Sequence, residues 1–358
     1  MRSTVNGRDA VTNLREPLFQ ILNDRVQDRG IAGIAVALKP GAKPESVWLP
    51  ASIPDEPTFL AYSITKTFTA ALLLLLQEEG RLSLEDPLVR WFPNIAQADC
   101  ISLRQLLNHT AGIPDYGSLQ AYHEAVRTSP SVPWSFDQFA AATYEQGLLF
   151  APGTGWAYSN PGYLLLKRIA EAATGISFRN LIFNHIVRPL GLRQTFVPES
   201  IAELTSLAPA FSRALAADRT ARDVRHFYHP GWVSHGVIAS TPAEIVLFLN
   251  AVFGDRLLPG HCVEEMAILT PVPMPDTSNS PQAESPRWVK PSYGLGLMGD
   301  PASRWGLVLG HNGGGPGYNT SAFHAPELGG VSVCAMCAVE QSIQAEELVF
   351  AVLDWIAS

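Results

Sequence analysis

The stretch FLAYSITKTFTAALLLLLQEEG, residues 59–80, raises the question on which the rest of the chain turns. It reads as an apolar helix, yet Lys66, one of only five lysines against 20 arginines, stands at its head, three residues after Ser63. A three-residue step on a helix puts two side chains on one face about one turn apart. The Lys66 ammonium therefore lies beside the Ser63 hydroxyl. Serine is a weak nucleophile until a neighbouring base or charge activates it, and burial lowers a lysine pKa into the range useful for proton transfer. A plain structural reading also exists, with Ser63 as a helix cap and Lys66 reaching from the helix end to water.

Around this stretch, composition narrows the function classes. The chain has 358 residues, enough for one large domain or two, and 47% of them are hydrophobic, enough for a sizeable core. A net charge of -8 with no basic block argues against nucleic-acid or anionic-membrane partners. The longest apolar run, residues 70–76, is too short to span a bilayer. The first residues, MRSTVNGRDAVTNLREPL, hold no apolar stretch of secretory length, so the expected location is the cytoplasm. Cys334 and Cys337 form a C-x-x-C, but GVSVCAMCAV alternates like a strand, on which residues three apart face opposite ways. Two buried core thiols are expected there rather than redox or zinc chemistry.

The order of elements is mixed. An amphipathic stretch over residues 14–28 stops at Gly30, a strand pattern follows at IAGIAVAL, and SVWL offers a second strand after a Pro-rich turn. Helix signals then dominate: Asp86 before Pro87, capping-box spacing at Ser102 and Ser135, and a stop at Gly175. Strand patterns return at YGLGLM, WGLVLG, YNTSAFH and GVSVCAMCAV, and a last helix is expected over residues 343–356. This order predicts an α/β fold of the α+β type, an antiparallel sheet flanked by helices and built from both chain ends. The expected division is a sheet domain of residues 1–70 and 236–358 and a mostly helical domain of residues 71–235, with the site at their junction.

Two further segments carry chemistry. In GTGWAYSNPGYLLL, Tyr158 and Asn160 flank Ser159 in a Gly- and Pro-rich loop before a helix. A lysine ammonium near a tyrosine favours the phenolate, which is a general base, and the amide can hold a substrate carbonyl or orient the lysine. In LVLGHNGGGPGYNTSAF, a strand runs into His311, Asn312 and three glycines. Glycines weaken a strand but let another backbone or a substrate approach closely, leaving N–H groups free for an oxyanion.

These three segments, in this order, resemble the serine β-lactamase and penicillin-binding protein superfamily, in its branch of class C β-lactamases, DD-peptidases, D-aminopeptidases and family VIII esterases. The likeness runs over residues 14–356 and includes the phrases GRLSLEDPLVRWFPN, ISLRQLLNHTAGIPDY, PLGLRQTF and STPAEIVLFLNAV. SITK matches its S-x-x-K motif, which implies Ser63 as the acylated nucleophile and Lys66 as its proton-shuttling partner. YSN matches Y-x-N, implying Tyr158 as base of acylation and donor to the leaving group, with Asn160 on the substrate. HNG matches the third motif, implying substrate contacts from His311, Gly313 and Gly314, and an oxyanion hole of the Ser63 and Gly314 N–H groups.

The chain departs from the pattern in having His311 where class C β-lactamases have lysine. Its Pro-rich first hairpin also predicts an irregular sheet edge. The function implied is an acyl-enzyme serine hydrolase of small esters or amides, without metal or organic cofactor. A DD-carboxypeptidase or weak β-lactamase is the alternative, and a non-catalytic binding or scaffold module the alternative of another class. Rival signals are weaker: Ser234 in GWVSHG lacks the spacing of a G-x-S-x-G elbow. His226, His229 and His235 lack a carboxylate or cysteine at ligand spacing and are expected to line or cover the cleft.

Overall fold

The structure, a computed structural model, describes residues 14–26, 30–273, 288–340 and 344–358. Strand β1 (Ala32–Ala37) pairs with β2 (Glu45–Leu49) on one side and with Val331–Cys337 on the other. The sheet continues through Tyr318–Ala325, Gly306–Gly315, Met298–Ser303, Ser292–Tyr293 and Thr270–Pro271, eight strands in all and antiparallel throughout. Both ends of the chain thus build one sheet. The first hairpin corrects the expectation of irregularity, because Ala32 to Val36 pair with Leu49 to Glu45 without a break. Pro40 and Pro44 fall in its turn, where no ladder N–H is needed.

Strand alternation sends side chains to two cores. On one face, Ile34, Val36, Val333 and Ala335 pack with Leu18 and Leu22 of α1 (Arg15–Arg25) and with Leu348 and Val352 of the Gln344–Ala357 helix. On the other, Ala35, Ala37 and Met336 join the larger core shared with α2 (Thr65–Glu78) and the Pro242–Phe253 helix. Each Leu or Ile removed from water contributes about 1.5–3 kcal/mol. Cys334 and Cys337 divide between the two cores, as alternation requires, and both thiols are free and buried.

α2 is buried on nearly all sides, so its polar groups must find partners inside the protein. The Thr69 hydroxyl donates to the Thr65 carbonyl, that of Thr67 donates to the Gly296 carbonyl, and Thr65 Oγ1 accepts the Ile238 N–H. Ser102 and Ser135 form complete capping boxes and Gly175 ends its helix in the left-handed region. Asp86 and Pro87 open only a short 3-10 turn, Leu88–Arg90. The YGLGLM segment is likewise no continuous strand. Between its two strand pieces Gly296 has φ +65°, and a Cβ there would lie 2.5 Å from the Lys66 carbonyl. Among the described residues no helix is long and apolar enough to cross a membrane.

Candidate active site

The head of α2 lies against the Gly306–Gly315 strand. A 3-10 turn, Tyr62–Ile64, leads into the helix, and Tyr62 sits at φ +45°, where a bulky residue is strained. The surroundings hold it there: its hydroxyl donates to the Pro316 carbonyl at 2.6 Å. A Cβ on Gly315 would come within 2.4 Å of its ring, and one on Gly313 within 2.3 Å of the Ala61 carbonyl and 3.2 Å of the Ser63 nitrogen. The glycines at 313 and 315 are what let the strand approach the nucleophile turn so closely.

The turn places Ser63 on the cleft surface and sends Lys66 into the interior, where it is fully buried. Lys66 Nζ lies 3.2 Å from Ser63 Oγ, 2.7 Å from Asn160 Oδ1 and 3.0 Å from His235 Nε2. Among the described residues no carboxylate bonds it. Burial pulls its pKa down to about 7, with Asp115, one residue removed behind Asn160, acting in the opposite sense. Asp115 accepts the Asn160 backbone N–H at 2.9 Å and its side-chain amide at 3.3 Å, which turns Asn160 Oδ1 toward the lysine.

Tyr158 approaches Ser63 from the other side, its hydroxyl donating to Ser63 Oγ at 2.8 Å. Burial pushes its pKa up, only partly countered by the hydrogen bond to Ser63, so it is a phenol near neutral pH. Ser159 caps the following helix, Asn160–Thr174, by accepting the Gly162 N–H, which fixes Tyr158 and Asn160 on either side of Lys66. Behind Tyr158 the buried His109 ring stands 4.4 Å away and its Nδ1 accepts the Ser159 N–H.

His311 is 2% exposed. Its Nδ1 donates to the Asn312 carbonyl, so its Nε2 is the acceptor for the Tyr293 hydroxyl at 2.8 Å. Both ring nitrogens are therefore taken. Burial, reinforced by the nearby Lys66 charge, pushes its pKa down to about 3 and leaves the ring neutral. Asn312, on the opposite face of the strand, donates to Glu346 of the Gln344–Ala357 helix. The open space beside Ser63 is a cleft of about 950 Å³ whose wall includes Asn160, His235, Gly314, Gly315 and three arginines, Arg127, Arg213 and Arg219.

The structure thus brings Ser63, Lys66, Tyr158 and Asn160 into one hydrogen-bonded group and sets Gly313 and Gly314 beside it, with His311 behind. Sequence reasoning missed the supporting residues. His109 and Asp115 lay inside the phrase ISLRQLLNHTAGIPDY without a separate role, and Tyr293 lay in a strand pattern. The three histidines expected at the cleft separate: His226 is exposed, His229 Nδ1 accepts the Gly231 N–H, and His235 is buried on Lys66. Ser234 bonds Tyr116. Among the described residues, Glu78, His261 and Cys262 form the grouping with metal-type ligand atoms, at the end of α2 opposite Ser63.

This arrangement supplies a nucleophile, a buried amine, a phenol donor and free strand-edge backbone around one cleft. The family model described as Beta-lactamase matches residues 18–353. Among curated proteins, penicillin-binding protein 4* of Bacillus subtilis is 29% identical over 269 residues, which are 72% of this chain and 56% of that protein. A β-lactamase of Pseudomonas fluorescens is 28% identical over 57% of this chain and 56% of its own length. The chain spans little more than half the length of these curated relatives. Among solved structures, a D-stereospecific amidohydrolase from Streptomyces sp. superposes with a TM-score of 0.77 at 28% identity, covering 94% of this chain and 98% of its own. The D-amino acid amidase of Ochrobactrum anthropi SV3, complexed with L-phenylalanine amide, shares the fold with a TM-score of 0.78 at 24% identity, over 96% and 99% of the two chains.

Proposed function

The chain belongs to the beta-lactamase family, and from that premise we propose that it is a serine hydrolase that forms an acyl-enzyme on Ser63 with small esters or amides, D-amino-acid amides among them. The observation that carries the reading is the convergence of Tyr158 OH and Lys66 Nζ on Ser63 Oγ, at 2.8 and 3.2 Å. In the first half-reaction Ser63 Oγ bonds the substrate carbonyl carbon while its proton passes to the Lys66 amine. The oxyanion is held by the Ser63 and Gly314 N–H groups. Tyr158 gives its hydroxyl proton to the leaving alcohol or amine as its bond to the acyl carbon breaks, and takes a proton back from Lys66 by way of Ser63 Oγ, the atom that both groups contact. Water then cleaves the Ser63 ester by the same groups in reverse.

A lysine held near neutrality suits the base and a phenol held protonated suits the donor. These roles for Lys66 and Tyr158 differ from those implied by the resemblance, where Tyr158 is the base. Asn160 orients Lys66 and faces the substrate, and His311 forms a neutral wall behind Gly313. The D-stereospecific amidohydrolase neighbour supports the amide assignment. Four free cysteines fit a reducing compartment, the cytoplasm.

A carboxylate-bearing substrate, as in DD-carboxypeptidase or β-lactamase chemistry, is the second reading. It is favoured by Arg127, Arg213 and Arg219 in the cleft wall. Intact-protein mass spectra after incubation with activated esters, D-amino-acid amides and β-lactams separate the two. An acyl adduct on the wild type, lost in Ser63→Ala, supports the hydrolase. A Ser63→Ala protein that still labels stoichiometrically refutes the nucleophile.

A further inference from the structure

We propose that His235 is a positioning residue for Lys66: its neutral ring, protonated at Nδ1, accepts one ammonium proton at Nε2 and fixes the lysine nitrogen between Ser63 and Asn160. The inference rests on the reading of Ser63 and Lys66 as the reacting pair.

A lysine nitrogen has three directions beyond its own carbon in which it can meet a partner. In this site those directions are filled by Ser63 Oγ at 3.2 Å, Asn160 Oδ1 at 2.7 Å and His235 Nε2 at 3.0 Å. Asn160 must present its oxygen, because its amide nitrogen donates to Asp115. When Lys66 is an ammonium all three of its protons need acceptors, since it is fully buried. Ser63 and Asn160 take two, and among the described residues the third has only His235. An ammonium can donate to His235 only if Nε2 carries a lone pair, so the ring proton belongs on Nδ1.

Among the described residues nothing else fixes this tautomer. Nδ1 of His235 is buried and has no hydrogen-bond partner among them, so the lysine decides which nitrogen is bare. The ring is also kept uncharged. It is 2% exposed, and burial first, then Lys66, Lys167, His311 and His109, hold its pKa well below the usual histidine range. The groups facing the pair from neighbouring elements are Tyr158 and Tyr163, whose rings lie 4.8 and 5.3 Å from Nζ, and Asp115 behind Asn160. Of these none replaces the acceptor at Nε2.

His235 therefore does two things for Lys66. It offsets part of the penalty of burying an ammonium, which keeps the lysine able to pick up the Ser63 proton. It also stops the nitrogen from turning away from Ser63 after that transfer. Because it touches Lys66 and no reacting atom, it is a positioning residue.

The test compares His235→Leu, which removes the acceptor, with His235→Gln, whose amide oxygen reaches the same place. The acid limb of kcat/KM for an activated ester, set by Lys66 at about 7 in the wild type, should move down by about one to two pH units in His235→Leu, the worth of one hydrogen bond to a charged group. The pH-independent kcat should fall as well, and His235→Gln should restore the midpoint. Lower activity at an unmoved midpoint would mean mere packing and would overturn the proposal.

A second measurement needs neither turnover nor a stable leucine variant. In nitrogen-15 spectra of the wild-type imidazoles at pH 6, the signal absent from His235→Gln should be a neutral ring protonated at Nδ1. An imidazolium, or a ring protonated at Nε2, would overturn the proposal. A wild type that turns over no ester or amide sinks the catalytic reading instead, while the ring spectrum still decides the contact.

Discussion

Gly313→Ala tests the closeness of strand and nucleophile turn in one step. A Cβ at position 313 would stand 2.3 Å from the Ala61 carbonyl and 2.4 Å from Thr320 Oγ1, whereas real Cβ contacts essentially never fall below 3.0 Å. The Ala61 carbonyl cannot swing away freely. It accepts the Thr320 hydroxyl at 3.1 Å, and the Ala61 N–H is bound to the Ile238 carbonyl at 2.7 Å. Relief therefore requires a backbone movement of about 0.7 Å or more, two residues from Ser63. Misplacing reacting groups by about 1 Å costs on the order of 10²-fold in rate, and overpacking costs about 1–3 kcal/mol of stability. The expected outcome is a kcat/KM for an activated ester about 10²-fold below wild type in a protein that still melts cooperatively. Gly260→Ala, where the nearest atom is 3.6 Å away, should change neither quantity appreciably. A Gly313→Ala enzyme within threefold of wild type would refute the reasoning, because the strand would then not press on the nucleophile turn.

Tyr158→Phe keeps the ring and removes the hydroxyl, so kcat should fall by about 10²–10⁴-fold, more for amides than for activated esters because an amine must leave with a proton; unchanged amide turnover would rule Tyr158 out. Burial lowers the Lys66 pKa to about 7 from the 10.5 of an ordinary lysine, so between those values the unfolded chain binds more protons than the native one and native stability rises with pH. Lys66→Met should abolish turnover yet raise the melting temperature, by more at pH 6 than at pH 10, and an equal change at both would show that the lysine is not desolvated. With His311 held at about 3, the ratio of kcat/KM for a carboxylate-bearing amide to that for its methyl ester should show no step near pH 6 that depends on His311; a step lost in His311→Asn would show that the ring titrates against substrate.

How much of this was legible beforehand depends on the range of the interaction. Ser63 and Lys66 lie one helical turn apart, and Tyr158 and Asn160 flank a single helix cap, so short spacings raised them as candidates and the family resemblance supplied their expected roles. The capping boxes at Ser102 and Ser135 and the split of Cys334 from Cys337 are equally local. His235 reaches Lys66 across 169 positions of sequence, and Asp115 reaches Asn160 across 45. No periodicity encodes such meetings. The YGLGLM run failed as a strand for a related reason: its alternation is sound, but Gly296 is pressed against the Lys66 carbonyl by tertiary packing that overrides local preference. His311 was marked as substrate-facing because its position in the motif is informative, whereas the occupancy of both its nitrogens depends on Tyr293, 18 residues away.

The pairing of β1 with Val331–Cys337 also bears on the order in which the protein can be made. A ribosome delivers β1 about 300 residues before its main partner, so during synthesis one edge of β1 stays unpaired while the helical segment emerges. The strand carrying Gly313 waits as well, since it joins the sheet through Tyr318–Ala325 and is gripped from behind by Glu346. Ser63 gains the neighbours it needs only after the strand carrying Gly313 has followed it out of the ribosome. A nascent chain is thus spared a reactive serine until the cleft around it is nearly complete.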